Sequence, residues 1–365
     1  MKSYILTGTP PPEIPLSLPQ SFGVSNKFQY FSSFSPSPAL TTHLKLETHE
    51  IIPDFHPKRI FILGMGYVGQ YVAQQLNNQG WDVAGTCTSI IKKKVLEQKG
   101  FDVHIFDALK PEWNILDKLR CCTHLLVSIP PSEGIGDPIL QHEKAFKARL
   151  VDGDLKWLCY LSTTSIYGDA RGAWVDEKSI ICGSYIPNPL SQLAKMRLKS
   201  EEGWLKLGED LGVSAYVFRL GGIYGPGRSA IDTILKEEIS ERQKKRATRK
   251  FTSRIHVADI CQALRACISK QVQRKVYNIV DDDPASRAEV FAFAQQLIER
   301  RWPGLIDLTD YSDREISCGG EKRVSNALIK KELGLQFIFP SYRSGLQSII
   351  DSMEDPMKYN GCNNC

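Results

Sequence analysis

A glycine-rich hexapeptide carries the clearest chemical signal in the sequence. It directly follows an apolar run, Arg59–Leu63, directly precedes a helical pattern, and reads Gly64-Met65-Gly66-Tyr67-Val68-Gly69. In such a turn the first glycine permits a sharp bend, the second lets the backbone approach a pyrophosphate, and the third lets the helix pack closely on the strand. The helix start adds backbone N–H groups and a partial positive charge. All six residues are therefore predicted to bind a dinucleotide.

The end of the second predicted strand should distinguish between the two nicotinamide dinucleotides. An acidic residue there binds the ribose 2′-hydroxyl of NAD(H) and repels the 2′-phosphate of NADP(H). Here the strand ends in Gly85-Thr86-Cys87-Thr88-Ser89, without an acid, and Lys92, Lys93 and Lys94 follow. Hydroxyl groups and cations suit a 2′-phosphate, although the lysines could instead form the solvated face of a helix. We predict NADP(H), contacted by Thr86 and Thr88, with NAD(H) as the second choice.

The elements that must position these residues alternate between short apolar runs and longer amphipathic stretches. The runs that predict strands are Arg59–Leu63, Asp82–Thr86, Asp102–Ile105, Thr123–Ile129, Lys156–Leu161 and Val213–Leu220. Helices are predicted near Tyr67–Asn78, Pro138–Val151 and Leu190–Leu211. Alternating strands and helices predict a parallel sheet covered on both faces, with right-handed crossovers. The fold class is therefore α/β, a doubly wound parallel sheet (Rossmann fold).

After Gly227 the alternation of predicted strands and helices becomes less regular. This part of the chain predicts a smaller C-terminal lobe on the substrate side. A strand is predicted at Val276–Val280, and helices near Arg287–Glu299 and Asn326–Leu333. The predicted organisation is a disordered segment at 1–57, the dinucleotide-binding domain at 58–225, the lobe at 226–356 interleaved with the last strands of the sheet, and a polar tail at 357–365.

Further blocks occur in a characteristic order after the fifth predicted strand. They are Leu161–Gly168 (LSTTSIYG), Asp176-Glu177, Arg219–Arg228 (RLGGIYGPGR), Arg254–Ile260 (RIHVADI) and Val276–Ile279 (VYNI). With them the chain resembles a short-chain dehydrogenase/reductase, specifically the NAD-dependent epimerase/dehydratase superfamily in its atypical branch. The resemblance covers roughly residues 58–350. It implies an NAD(P)-binding protein in which Asp107 lies near the adenine, Ser128 contacts the cofactor, and Thr163 contacts both cofactor and substrate.

The same resemblance implies a catalytic Tyr-x-x-x-Lys pair, which this chain lacks. In the family the lysine lies one helical turn from the tyrosine and lowers the pKa of its phenol for proton exchange. Pro189 and Glu201 set a helix register that puts Leu193 at the tyrosine position and Arg197 at the lysine position, whereas a shifted register would give Ser191 and Lys195. Leucine cannot transfer a proton. The predicted catalytic residues are Thr163, Lys195 and Arg197.

Other side chains could supply the acid, the base or a substrate contact. Tyr167 and His256 are alternative proton donors, although each could instead be a buried packing residue. The guanidinium groups of Arg228 and Arg254 suit a carboxylate or phosphate of the substrate, unless they face solvent.

Two more positions bear on the lobe. Asp259 is predicted to cap a helix. Leu220 and Gly222 stand where the family has Pro and Asn, which argues against a sugar nucleotide as substrate.

Composition excludes several classes of protein. Lys and Arg total 46 against 41 Asp and Glu, a net charge of +5 that is too small to indicate nucleic acid. The basic stretch Lys236–Lys250 has no aromatic residue for stacking on bases, so a solvated helix or a flap is the better interpretation. No apolar run approaches the roughly 18 to 20 residues of a membrane span. The ten cysteines are scattered. The terminal Cys362 and Cys365 have metal or redox spacing but lack a second pair, so no metal is predicted.

The N-terminal segment has the composition of a transit peptide. From Met1 to Leu46 the only acid is Glu13 and arginine is absent, while Ser, Thr and Pro recur. This composition favours a transit peptide that directs the protein to the chloroplast stroma. The alternative is a disordered tail on a cytoplasmic protein.

Three hypotheses of function remain. The first is an NADP-dependent oxidoreductase or isomerase acting on an unidentified small molecule, as a monomer or a homodimer. The second is a non-catalytic dinucleotide-binding redox sensor or assembly factor. The third, a nucleic-acid-associated protein, rests on the basic stretch alone.

Overall fold

The computed structural model of the chain describes residues 58–179, 192–236, 251–270, 272, 275–306 and 321–354. Its strands are β1 Arg59–Leu63, β2 Asp82–Cys87, β3 Asp102–Ile105, β4 His124–Val127, β5 Trp157–Thr163, β6 Trp174–Val175, β7 Ser214–Leu220, β8 Gly222–Tyr224, β9 Arg254–His256, β10 Val276–Ile279 and β11 Arg323–Val324. Its α-helices are α1 Tyr67–Asn77, α2 Ile90–Gln98, α3 Glu143–Leu150, α4 Gln192–Leu211, α5 Ala230–Leu235, α6 Val257–Ser269, α7 Arg287–Arg301, α8 Ala327–Leu333 and α9 Tyr342–Ser352.

Seven strands form one parallel sheet in the order β10-β7-β5-β4-β1-β2-β3. The chain runs outward from β1 to β3 on one side, then returns to the other side of β1 at β4. The order of the strands therefore reverses between β1 and β4, where the crossover helices diverge to opposite faces. In doubly wound sheets the ligand crevice lies outside the carboxyl ends of the strands at this reversal. The predicted fold class, a doubly wound Rossmann sheet, is confirmed.

Apolar side chains on both faces of the central strands hold the sheet between two layers of helices. In β1, Ile60 and Ile62 pack under α1 and α6, while Phe61 and Leu63 pack under α3 and α4. All four are at most 2% exposed. Because both faces are covered, these strands are continuously apolar, unlike the alternating strands of a half-solvated sheet.

The C-terminal lobe has its own small core. Helices α5, α7 and α9 bury a cluster that includes Ile231, Val290 and Leu346. The strands β8 and β9 pair in parallel beside it. The next strand, β10, returns to the main sheet and pairs with β7, so the lobe and sheet alternate along the chain. The numerical boundary between domain and lobe stays a prediction.

The helix predicted near Pro138–Val151 is present as a short 3-10 turn, Leu140–His142, followed directly by α3. One local prediction is wrong. Asp259 does not cap α6, because the helix begins after His256, whose Nδ1 accepts the N–H of Ala258 at 3.2 Å. Asp259 lies inside the first turn, fully buried, and accepts the N–H of Ile338 at 2.6 Å. It anchors the segment before α9.

Several sequence predictions lie outside the described residues. These concern the N-terminal segment, Ser191, most of the basic stretch, and Cys362 with Cys365. Within the described part, no helix has the length and hydropathy needed to cross a membrane.

Candidate functional site

Thr86 fixes the glycine-rich turn to the neighbouring strand. The N–H of Gly64 donates to Thr86 Oγ1 at 3.0 Å, and the N–H of Met65 donates to the Thr86 carbonyl at 2.7 Å. Gly64 adopts a φ of +99°, in the region that favours glycine. Thr86 is only 1% exposed. The structure thus places Thr86 as a support of the turn, rather than as a side chain that faces a ligand.

Gly66 and Gly69 have opposite steric surroundings. A Cβ at Gly69 would stand 2.5 Å from the carbonyl oxygen of Gly64, so only glycine lets α1 approach the turn this closely. A Cβ at Gly66 would meet nothing within 4 Å. Gly66 therefore borders open space, which is the cradle that a pyrophosphate would need.

The first turn of α1 offers its backbone N–H groups to that space. Gly66 is the N-cap and provides no capping side chain, and the first turn carries no acid. Met65 and Val68 turn their side chains into the core, at 1% and 6% exposure. Their backbone is what remains for a ligand, as expected where a helix N-terminus binds phosphate.

Tyr67 points away from the turn toward the C-terminal lobe. Its hydroxyl donates to the Pro226 carbonyl at 3.1 Å, and the Arg228 guanidinium lies 5.3 Å from the centre of its ring. Gly225 is packed so closely that a Cβ there would stand 2.5 Å from the Tyr67 hydroxyl. Burial raises the pKa of Tyr67 above its ordinary value, partly offset by Arg228.

The end of β2 presents hydroxyl and ammonium groups. Thr88 is exposed, and Ser89 caps α2 by accepting the N–H of Lys92 at 3.3 Å. Lys93 forms an exposed pair with Glu97 at 3.5 Å. No acid follows β2 before α2 begins. The chemistry predicted for a 2′-phosphate is present, and so is the alternative of a solvated helix face.

Asp107 borders a second, smaller cleft beyond β3. Its Oδ1 accepts the N–H of Leu109 at 2.9 Å, and the residue is exposed. The cleft has a volume of about 430 Å³ and is also lined by Lys93, His104 and Lys110.

Ser128 and Thr163 lie at the carboxyl ends of neighbouring strands. The Ser128 N–H donates to the Leu63 carbonyl at 2.9 Å, which extends β4 beside β1. Thr163 ends β5, and its Oγ1 accepts the N–H of Ser165 at 3.2 Å. Both residues are half-buried. The hydrogen bonds of the described residues leave the Thr163 hydroxyl hydrogen free to donate.

Helix α4 presents Arg197, and not Lys195, to the sheet. The buried positions Ala194, Glu201 and Trp204 define its inner face at helical spacing, and Arg197 lies on this stripe. The Arg197 Nε is buried and has no hydrogen-bond partner among the described residues. Lys195 is exposed. A difference of two residues is about 200° around a helix. Lys195 therefore faces solvent, and its predicted catalytic role is not supported by the geometry.

A buried polar network that sequence reasoning missed underlies this edge of the sheet. Arg219 donates to Glu201 through Nη2 at 2.7 Å, and both side chains are less than 10% exposed. Arg219 Nη1 also donates to the Tyr167 hydroxyl, which in turn donates to Asn278 Oδ1 at 2.6 Å. Burial raises the pKa of Tyr167 to about 12. Tyr167 is thus a structural residue, 2% exposed, and not a proton donor to substrate.

His256 is likewise a packing residue. Its ring centre lies 4.1 Å from that of Phe339 and 5.1 Å from that of Tyr224. Because Nδ1 accepts a backbone N–H, the proton of the neutral ring is on Nε2. Burial lowers the pKa of His256 to about 4, so the ring is neutral at physiological pH.

A large cleft opens in the C-terminal lobe. Its volume is about 780 Å³. Both predicted substrate residues line it, Arg228 exposed and Arg254 partly buried. Arg254 does not face bulk solvent, because Nη1 donates to the carbonyls of Thr252 and Ala285 at 2.7 and 2.8 Å. The described ranges contain no group of three His, Cys, Asp or Glu that could hold a metal ion.

Comparison with known proteins adds to this picture. No family model matches the chain. The protein YeeZ of Escherichia coli K12 is 24% identical over 290 residues, which is 78% of this chain and 97% of YeeZ. A structure described as a functionally unknown conserved protein from Silicibacter pomeroyi is 30% identical, with a TM-score of 0.63, covering 82% of this chain and all of that one.

The chain belongs to the family of this Silicibacter protein. Its fold is also that of NAD-dependent epimerases and dehydratases. UDP-glucuronic acid 4-epimerase of Bacillus cereus, in complex with NAD, superposes with a TM-score of 0.61 at 16% identity, over 83% of this chain and 99% of that one. The predicted resemblance to the epimerase/dehydratase superfamily is confirmed at the level of the fold.

Proposed function

We propose that the chain is an NADP(H)-dependent oxidoreductase or isomerase of the epimerase/dehydratase type that works without the usual catalytic tyrosine. The observation that carries the proposal is the glycine turn at the sheet's reversal, with open space over Gly66 and an uncapped helix start beneath it. The NAD complex of the Bacillus cereus epimerase supports a nicotinamide dinucleotide on this fold. The absence of an acid after β2 favours the 2′-phosphate form.

The residues present fit such a cofactor at two points. The space beside Gly66 suits a pyrophosphate, held by backbone N–H groups of the turn and α1. The unpartnered Nε of Arg197 would gain an acceptor in a ribose hydroxyl, the role that lysine has in the family. Bound there, the cofactor would supply or accept a hydride.

Thr163 and Arg197 would then take over part of the roles of the family's tyrosine and lysine. The Thr163 hydroxyl would donate a hydrogen bond to a substrate oxygen at the carboxyl end of β5. The Arg197 guanidinium would stabilise negative charge that develops on the substrate. Leu193, 40% exposed at the tyrosine position, adds only apolar surface. Proton exchange would therefore use water or the substrate itself.

Calorimetric titration of the full chain with NADPH and NADH tests the cofactor proposal. We expect micromolar binding of NADPH and at least tenfold weaker binding of NADH. Equal affinities would contradict the assignment of the β2 end to a 2′-phosphate. Absence of binding by either dinucleotide would reject the proposed function.

A non-catalytic redox sensor is the second candidate, favoured by Leu193. The matched substitutions Thr163→Val and Thr163→Ser separate the two, since valine has the shape of threonine without its hydroxyl. If the chain is an enzyme, NADPH oxidation with a panel of carbonyl compounds should fall about 100-fold in the valine variant. It should persist in the serine variant, and both should bind NADPH normally. No turnover in any form, with NADPH binding retained, would support the sensor.

We also propose that the protein acts in the plastid, on the composition of residues 1–46. A fluorescent fusion of residues 1–57 that stays in the cytoplasm would contradict this.

A further inference from the structure

The large cleft of the C-terminal lobe has an excess of positive charge. Four cationic residues line it: Arg228, Lys236, Arg254 and Arg287. Among the described residues of the lining, the only acid is Asp232. Its carboxylate is 3% exposed and is engaged by the N–H of Ser229 at 2.7 Å and by the Ser229 hydroxyl, in the capping box of α5. Among the described lining residues, positive charges therefore outnumber negative ones, which favours anions over cations.

Three backbone carbonyls position Arg254. Nη1 donates to the carbonyls of Thr252 and Ala285, and Nη2 donates to the Ser286 carbonyl at 3.3 Å. The Tyr342 ring lies 5.9 Å from its guanidinium carbon. These contacts hold the plane of the guanidinium in one orientation before any ligand arrives, which lowers the entropy cost of binding.

The charge of Arg254 is not neutralised by a close acid. No carboxylate of the described residues lies within 4 Å of it. Burial lowers the pKa of Arg254, and Asp281 offsets this only in part, from beyond ion-pairing distance. Of the five N–H groups of a guanidinium, Nε–H and one on Nη2 are left without a described partner. Both can donate to the oxygens of a carboxylate or phosphate.

Gly222 leaves space beside the Arg254 side chain. Gly222 and Arg254 are direct partners in the β8–β9 register. A Cβ at Gly222 would stand 3.7 Å from Arg254 Cγ, an ordinary contact distance, so glycine is not required by sterics. A larger side chain would fit and would lie along Arg254. Its absence keeps the arginine accessible from the cleft.

The strand partner of Thr163 lies close in sequence to the cleft lining. Thr163 pairs with Leu220 in the β5–β7 register, and Gly222 lies two residues farther along the chain. Two residues of extended chain span about 7 Å. A small molecule held at Arg254 could thus extend to the Thr163 hydroxyl at the end of the sheet.

We infer that Arg254 is the specificity-determining residue of the cleft, and that the substrate is a small molecule whose carboxylate or phosphate group binds to it. The inference rests on the proposed function, because it takes the cleft to be the substrate site of that reaction. The anion is held in the lobe, and the reacting carbon lies at the other end of the molecule, beside Thr163. Arg228, exposed at the mouth, attracts the anion without fixing it.

Anion titration of the full chain, saturated with NADPH, tests the inference. NADPH occupies the glycine turn, so that added anions cannot bind there. The probes are inorganic phosphate and sodium benzoate, each titrated at constant ionic strength against sodium chloride, with the melting temperature and heat of binding as readouts. The variants are Arg254→Gln, Arg287→Gln and the control Arg301→Gln, which removes an exposed charge from the same helix as Arg287.

We expect one of the two anions to bind the wild type with a millimolar Kd, at least tenfold tighter than it binds Arg254→Gln. The control should match the wild type. Preference for phosphate or benzoate identifies the acid group. Wild-type affinity in Arg254→Gln, or no binding of either anion up to 50 mM, would overturn the inference. If Arg254→Gln does not fold, Arg287→Gln is the deciding variant. We expect its anion affinity to be at least threefold weaker than that of the wild type.

The titration separates this inference from the proposed function. Failure of NADPH to bind, with Arg254-dependent anion binding retained, would reject the cofactor and keep the anion site. NADPH binding without Arg254-dependent anion binding would keep the cofactor proposal and reject the anion site.

Discussion

Substitution of two glycines that lie three residues apart should separate folding from cofactor binding. Gly66→Ala adds a methyl group to open space at a backbone φ of −75°, which alanine tolerates. We expect its free energy of unfolding to stay within about 0.5 kcal/mol of the wild type. Gly69→Ala places a methyl group 2.5 Å from the Gly64 carbonyl and 3.2 Å from an Ile62 methyl. Such overpacking costs about 1 to 3 kcal/mol.

For NADPH affinity we expect the opposite order, with a larger loss in Gly66→Ala than in Gly69→Ala. A phosphate oxygen bound to the turn lies about 3 Å from a backbone N–H, and the added methyl group of Gly66→Ala occupies that approach. Losing two charge-assisted hydrogen bonds costs about 3 kcal/mol, which is about 100-fold in Kd. Gly69→Ala keeps this space free, so its folded fraction should bind NADPH far better than Gly66→Ala does.

Calorimetric titration and urea unfolding of both variants provide the two readouts. Gly66→Ala that binds NADPH as tightly as the wild type would refute the assignment of this turn to the pyrophosphate. Gly69→Ala of undiminished stability would refute the packing argument, because the close contact with the Gly64 carbonyl would then be relieved at no cost.

Two further predictions concern buried charge. Glu201→Gln leaves Arg219 buried without a counter-charge, and we expect a loss of about 3 to 5 kcal/mol in urea unfolding. Glu209→Gln, on the same helix but in an exposed pair with Lys275, is the control and should stay near the wild type; equal effects of the two would contradict the network's role. For His256, the folded pKa of about 4 lies below the ordinary 6.5. Its contribution to stability is therefore present above pH 6.5 and is lost as the pH falls toward 4. The loss between pH 7 and pH 5 is about 2 kcal/mol. Asp259, whose pKa is raised to about 6 by burial, acts in the opposite direction over this range. Asp259 contributes equally to the wild type and to His256→Gln, so the difference in stability between the two proteins at each pH removes its contribution. If His256→Gln has the same pH dependence of stability as the wild type, His256 is not the cause of that dependence.

Local features of the site could be predicted because their causes are local. The bend at Gly64, the space at Gly66 and the packing at Gly69 depend on a few neighbouring residues. The register set by Pro189 and Glu201 put Arg197 at the lysine position of the family, and in the structure Arg197 lies on the inner face of α4.

Features that depend on distant partners could not be predicted in the same way. Asp259 looked like a helix cap because aspartate favours that position. Its actual partner, the N–H of Ile338, is 79 residues away. The Tyr167 hydroxyl meets Asn278 across 111 residues. The cleft around Arg254 is assembled from β8, α5, β9, α7 and α9. Nothing in the alternation of apolar and polar residues specifies which of these segments meet.

The late return of β10 to the sheet has a consequence for synthesis of the chain. The edge of β7 stays without its neighbour until residues 276–279 have been made, because β10 is its partner in the finished sheet. At about 5 to 20 residues per second, the intervening 221–275 take roughly 3 to 11 s to translate. During that interval an apolar strand, AYVFRL, has an unpaired edge. The ribosome-bound chain thus carries an apolar strand with an open edge during this interval, and a polypeptide that ended before residue 276 would keep that edge open permanently.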